Sequence, residues 1–343
     1  TIRGYGHYLR TATTDQDAFD PTDVSSFSST GFSIGSGPHV NKIGEAHVSW
    51  TFRKAPKFFD IVTYTGNGGQ LTLNHNLGVK PGMILVKNLT SAYNWYVWHN
   101  GLPSLNFLYL DQTSATGYQS GNPWILEPTS TQFTVGGLSA VTKSGDQFIA
   151  YVFAHDSAAD GMIQCGTYSD ASDYTVNLGW EPQFLLVKNI STNGDWVMLD
   201  TMRGWPVDSN AARLKANAPD AESMTNIGKP TATGFKGLAG SGYTYIYMAI
   251  RRPNKPPTSG TQVYNAIART GTGAAASVSG YGFAPDHVHV KARNSNQRHA
   301  IYDRLRGQFN ELNSDSTTTE VYTAGGVTFD IDGFSTSTDV YTN

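Results

Sequence analysis

Cysteine is nearly missing: Cys165 is the only one in 343 residues, so no disulfide can close within the chain and stability must come from packing or association. Charge is scarce too. Asp, Glu, Lys and Arg make up 15% of the residues and the formal net charge is −3. That balance gives no electrostatic footprint for nucleic acid, and no nucleic-acid partner is expected. No run of 18 apolar residues occurs, so no membrane insertion is expected either. A phosphate loop, a Cys/His zinc pattern and the metalloprotease helix are also missing. Ser, His and Asp are plentiful, but nowhere gathered as a triad requires. The expectation is a protein that is not an enzyme, with no catalytic residue and no cofactor.

Repetition is abundant. Leu77-Gly-Val-Lys-Pro-Gly-Met-Ile-Leu-Val-Lys87 returns as Leu178-Gly-Trp-Glu-Pro-Gln-Phe-Leu-Leu-Val-Lys188 and as Tyr281-Gly-Phe-Ala-Pro-Asp-His-Val-His-Val-Lys291. The spacing is about a hundred residues, a whole domain rather than the short unit of a solenoid or propeller. Asp200-Thr-Met-Arg-Gly204 and Asp303-Arg-Leu-Arg-Gly307 recur in phase, and the chain opens on Thr1-Ile-Arg-Gly4, the tail of that phrase. Thr30-Gly-Phe32, Thr131-Gln-Phe133, Thr233-Gly-Phe235 and Asp332-Gly-Phe334 mark one strand four times. The strand that closes a module reads His47-Val-Ser-Trp-Thr-Phe-Arg53, Phe148-Ile-Ala-Tyr-Val-Phe153 and Tyr245-Ile-Tyr-Met-Ala-Ile250, with no fourth copy. Four blocks follow: 1–57, the back half of a module; 58–157 and 158–256, complete modules; and 257–343, a module without its last strand. The expectation is a piece of a longer polypeptide.

Thirty-six glycines and 12% aromatic residues suit short strands joined by tight turns. Runs such as Phe59-Asp-Ile-Val-Thr-Tyr64 and Gln147-Phe-Ile-Ala-Tyr-Val-Phe153 are β-branched and aromatic. The fold class expected is all-β: tandem β-sandwich or jelly-roll-like modules in an elongated arrangement. Asn210-Ala-Ala-Arg-Leu-Lys-Ala-Asn-Ala-Pro219 alone has helical flavour, limited to a turn or two. The Pro-rich stretch 251–261 reads as a linker. Cys165 reads as a small buried residue, and Asn88 and Asn189 as turn residues rather than glycan sites.

Few residues offer chemistry. Strand periodicity places His287 and His289 on one face, where three chains meeting on an axis would surround a metal ion; the equivalents Met83, Leu85, Phe184 and Leu186 read as core, which is the competing assignment. Trp124 and Trp205 lack steady apolar counterparts and are the tryptophans expected at the surface, where flat rings bind sugars. Residues 102–128, with Tyr118, form an insertion in which specificity would reside. Asp330 and Asp332 would hold a cation or shape a turn. The repeated Asp-x-x-Arg-Gly reads as an ion pair before a glycine turn.

These repeated phrases, with Trp50-Thr-Phe-Arg-Lys-Ala-Pro-Lys-Phe-Phe-Asp-Ile-Val-Thr-Tyr-Thr-Gly66, resemble the tandem β modules of tail-fibre and related virion proteins of tailed phages, notably marine and cyanobacterial ones. The resemblance covers nearly the whole chain. It implies a non-enzymatic virion component of the tail or its appendages that takes part in host attachment. Its partners would be other copies of itself, a trimer among the options, other virion proteins and host surface polysaccharide. A capsid-decorating protein and a free-standing carbohydrate-binding or adhesin protein are the alternatives.

Overall fold

The computed structural model describes residues 2–121, 123–170, 174–207, 210–238, 242–252, 259–323, 325–338 and 342. The chain is all-β, and every strand pairing is antiparallel. Residues 58–157 form a sandwich. Its larger sheet runs, in spatial order, Gly117–Tyr118, Asn106–Tyr109, Tyr96–His99, Pro81–Asn88, Gln147–Ala154, Phe59–Thr65. Its smaller sheet is Ile125–Leu126, Gln132–Val135, Leu71–Asn74. Residues 158–256 repeat the plan, with Ile163–Ser169, Thr244–Arg251, Pro182–Asn189, Trp196–Asp200, Ala211–Lys215 and Ser223–Thr225 opposite a three-stranded sheet. The repeated proline opens the same strand in both blocks, beside a bulge that skips Gly82 or Gln183. There the missing N–H leaves no hole inside the ladder.

In the long central strands apolar residues run on consecutively instead of alternating, because both faces of the larger sheet are covered. Leu185, Val187, Leu199 and Tyr247 face the block's own small sheet and pack around Phe235. Phe184, Leu186, Trp196, Met248, Ile163 and Cys165 join the core of the preceding block. The fit is tight: a Cβ on Gly82 would stand 2.6 Å from the Cβ of Cys165, so both positions must be small. Burial pushes the Cys165 thiol far up, which keeps it unreactive.

Polar anchors set the docking, and they repeat. The indole N–H of Trp196 donates to Tyr109 O (2.8 Å), and Nζ of Lys188 donates to Thr113 O (2.9 Å) and Gly194 O (2.7 Å). One block earlier, Trp95 donates to Arg10 O (2.9 Å) and Lys87 to Thr14 O (2.7 Å) and Tyr93 O (2.5 Å). Burial pulls both ammonium groups down to about 8. His99 adds a link, donating from Nε2 to Tyr247 O (2.9 Å) while Nδ1 accepts from Gly101 N (3.0 Å).

Residues 257–343 break the pattern. Their larger sheet is His287–Val290, Ala300–Asp303, Asn310–Asn313, Val321–Tyr322. His299 stands where Trp95 and Trp196 stand, and Lys291 bonds only to nearby Ala292 O and Ser295 O. This block meets its predecessor through Val207 N to Leu305 O (2.6 Å), through Arg304 Nη1 to Met202 Sδ (3.2 Å) and through Asp286, which pairs with Arg252.

Two expectations are corrected. Residues 211–215, expected to be helical, are a strand, since Ala211 and Ala212 are buried and the stretch pairs with Val197 and Met198. His47–Arg53 is not a strand: in the later blocks its counterpart is sandwiched between two long strands that the first block does not contain. Instead Trp50 packs on Phe184 (6.0 Å) and Phe52 on Phe59 (5.5 Å). The linker expectation falls largely on residues 253–258, outside the described residues.

Removing the Trp196 side chain opens a cavity between two blocks, and Trp196→Ala is expected to lower unfolding free energy by about 3–5 kcal/mol, read from urea titration. Acid acts through His99. Burial pulls its pKa down to about 4, below the ~6.5 of an unfolded histidine. The unfolded chain therefore takes up the proton first, and stability falls as pH drops from about 6.5 to 4, by roughly 3 kcal/mol in all, then levels. His75 and His155, lowered by burial, add in the same direction. A His99→Gln variant should show a shallower loss of Tm across that window.

Candidate ligand cleft

The two Asp-x-x-Arg-Gly phrases build the most ligand-like concavity. Each Asp accepts from the backbone N–H and from Nε of the Arg three residues on, at 2.9 and 2.6 Å in both copies. Each phrase ends on a glycine at positive φ, 112° at Gly204 and 103° at Gly307, where a side chain would be strained. The chain turns sharply there. Both turns open onto one cleft of about 370 Å³ between residues 158–256 and 257–343.

Arg203 and Asn210 line one wall, and Gln308, Phe309, Asn310 and Tyr322 the other. The Phe309 and Tyr322 rings meet edge-on at 5.9 Å, and Tyr322 is 68% exposed. Arg203 is fixed by Asp200 and by Glu222 (2.8 Å). Arg306 behind the other wall is held by Asp303 and by Glu320 (3.0 Å); burial lowers its pKa, but the two carboxylates outweigh burial and raise it, so the charge is permanent. Among the described residues no hydrogen bond engages the Asn210 or Gln308 amides. Such amides beside an aromatic pair, with the Tyr322 ring exposed, can grip a hydroxyl-rich ligand whose C–H surface lies on the ring. A second cleft, of about 380 Å³, is lined mainly by Ala55, Pro56, Phe58, Met162 and Ile250 and lacks an aromatic pair.

The residues singled out from sequence lie elsewhere. Trp124 and Trp205 are 1% and 0% exposed, so neither presents a ring at the surface. Trp124 packs on Tyr96 at 5.4 Å, and Trp205 donates to Gly228 O (3.1 Å) within its own core. Tyr118 is 65% exposed but stands apart from the cleft. Its insertion is occupied with docking, since Thr113 O, Ala115 N and Thr116 Oγ1 all bond to residues of the next block. His287 and His289 are exposed rather than core, because the face covered in the earlier blocks is bare here. His289 Nε2 lies 2.8 Å from His299 Nδ1. Asp332 accepts from Gly280 N and Gly282 N, and Asp330 from Ser335, as turn residues do. Asn88 and Asn189 likewise accept from the N–H groups two and three residues on.

Sequence reading missed the cleft because its walls are a hundred residues apart. A nucleophile elbow was also expected to be absent, yet Gly31-Phe-Ser-Ile-Gly35 has its spelling. Ser33 sits in the hairpin Val24–Phe27/Phe32–Ile34, opposite Ser26, instead of on a strand-to-helix turn, so the spelling is coincidental.

A family profile described as a domain of unknown function, DUF7483, matches residues 1–253 and 259–343. The chain belongs to the DUF7483 family. The two matched stretches meet at the Pro-rich segment and take in both walls of the cleft, so the cleft is built entirely from the family's own domain. No curated protein and no solved structure matches the chain.

Proposed function

We propose that this chain is a non-enzymatic structural component of a phage particle, part of a tail fibre or another tail appendage, and that it engages host surface polysaccharide through the cleft between residues 158–256 and 257–343. The cleft carries the reading: the half-buried ring of Phe309, the exposed ring of Tyr322, the amides of Asn210 and Gln308 and a fixed Arg203 converge on one concavity. Such a site binds a sugar weakly, and copies displayed on one particle add avidity without any single strong contact. The repeated docking supports a rigid spacer role, and the resemblance to tail-fibre modules points the same way. Other copies of the chain, or other particle proteins, would cover the bare face that bears His287, His289 and His299.

Arrays of bacterial surface glycans provide the test. Wild type should bind a subset of them and compete with phage adsorption, and Phe309→Ala with Tyr322→Ala should lose at least about tenfold in affinity at unchanged Tm. No glycan bound and no competition would overturn the reading.

A further inference from the structure

Outside the cleft, one group of side chains has the composition of a metal site. The two N-terminal hairpins, His7–Tyr8/Ala18–Phe19 and Val24–Phe27/Phe32–Ile34, are followed by the short helix Pro38–Asn41. Together they place one donor atom from each of Asp20, Asp23 and His39 within 4.8 Å of one another. We propose that these three residues bind a divalent transition-metal ion of the Zn²⁺ or Mn²⁺ type.

The strongest reason is Asp23. It is 4% exposed, yet one carboxylate oxygen, Oδ1, has no hydrogen-bond partner, while Oδ2 meets only His39 Nδ1 at 3.2 Å. A buried carboxylate with an unsatisfied oxygen is costly, and a cation supplies the missing partner. Space is kept for that oxygen, since a Cβ on Gly37 would lie 2.1 Å from it. Asp20 is held by Thr22, whose N–H (2.8 Å) and hydroxyl (2.6 Å) both donate to Oδ1 and leave Oδ2 for a ligand.

The internal repeat gives an independent comparison. Gly35 lies against Thr22 O as Gly136 lies against Pro123 O, and the helix Pro38–Asn41 matches Ser139–Thr142, so the two segments align residue by residue. On that alignment Asp20, Asp23 and His39 correspond to Gly121, Trp124 and Ala140. Trp124 is a core residue. The fold therefore needs no ligating group at any of the three positions, and the first block carries one at all three.

Two carboxylates and an imidazole suit a borderline metal better than Ca²⁺. Arg10 Nη2 donates to His39 Nε2 (3.4 Å), so Nδ1 carries the ring proton and donates it to Asp23 Oδ2 (3.2 Å). With the metal on Nδ1 the ring proton moves to Nε2, and the solvent-exposed Arg10 guanidinium turns aside to admit it.

Zn²⁺ added to the metal-stripped chain and followed by titration calorimetry tests the assignment. The expected result is saturable binding, a rise in Tm, and at least a tenfold loss of affinity in both Asp23→Asn and His39→Ala. His39 is exposed, so His39→Ala preserves the fold if Asp23→Asn does not. His289→Ala separates this site from the exposed histidines of residues 287–299 and should leave the Asp23-dependent binding intact. Absence of saturable binding, or binding that is unchanged in His39→Ala and lost in His289→Ala, would overturn the proposal.

Discussion

The structure depends on burial of the second face of each large sheet. A sheet covered only by its own three short strands would leave Phe184, Leu186, Ile246 and Met248 in water, and one block docking on the next removes that face from solvent. The hydrophobic term has no direction of its own. Direction comes from the anchors, with Trp95 and Trp196 donating to a backbone carbonyl of the block before and Lys87 and Lys188 threading between two carbonyls. A buried ammonium ion is tolerated only with such partners, so a shift of docking register would strand the charge. The lysines thus act as register pins, and the same geometry recurs at two successive junctions.

The last junction shows what happens when the anchors change. With His299 at the tryptophan position and His287 and His289 in place of apolar residues, the equivalent face is polar and bare. Residues 257–343 instead meet their neighbour through Arg304, Asp286 and the two glycine turns. That arrangement brings the Arg-Gly phrases face to face and creates the cleft. The departure from the repeated docking and the candidate binding surface are therefore one feature, since a third docking of the earlier kind would not have opposed the two turns.

Much of this was legible in the sequence. The repeated proline and glycine phrases mark turns whose backbone needs are local, and the Asp-x-x-Arg-Gly ion pairs formed as the spacing required. Continuous apolar runs at Met83-Ile-Leu-Val86 and Phe184-Leu-Leu-Val187 carry the two-sided burial. Exposure was harder to read. Trp124 and Trp205 lack matching counterparts because each fills a hole peculiar to its own block, and private cores look like private surfaces when residues are compared one position at a time. His287 and His289 were set against core residues because the uncovered face depends on how two blocks meet, which no single strand encodes. Asp20, Asp23 and His39 lie nineteen residues apart at most and become neighbours only through two hairpins and a helical turn.

Native-state hydrogen exchange read by mass spectrometry addresses the docking most directly, because it reports which strands open together. If docking sets the fold, Pro81–Asn88, Gln147–Ala154, Pro182–Asn189 and Thr244–Arg251 should exchange as one cooperative unit, with Ala276–Ser279 and His287–Val290 opening separately and sooner. Exchange of the two pairs of long strands at independent rates would contradict the account, since each block would then be stable without the face its neighbour covers.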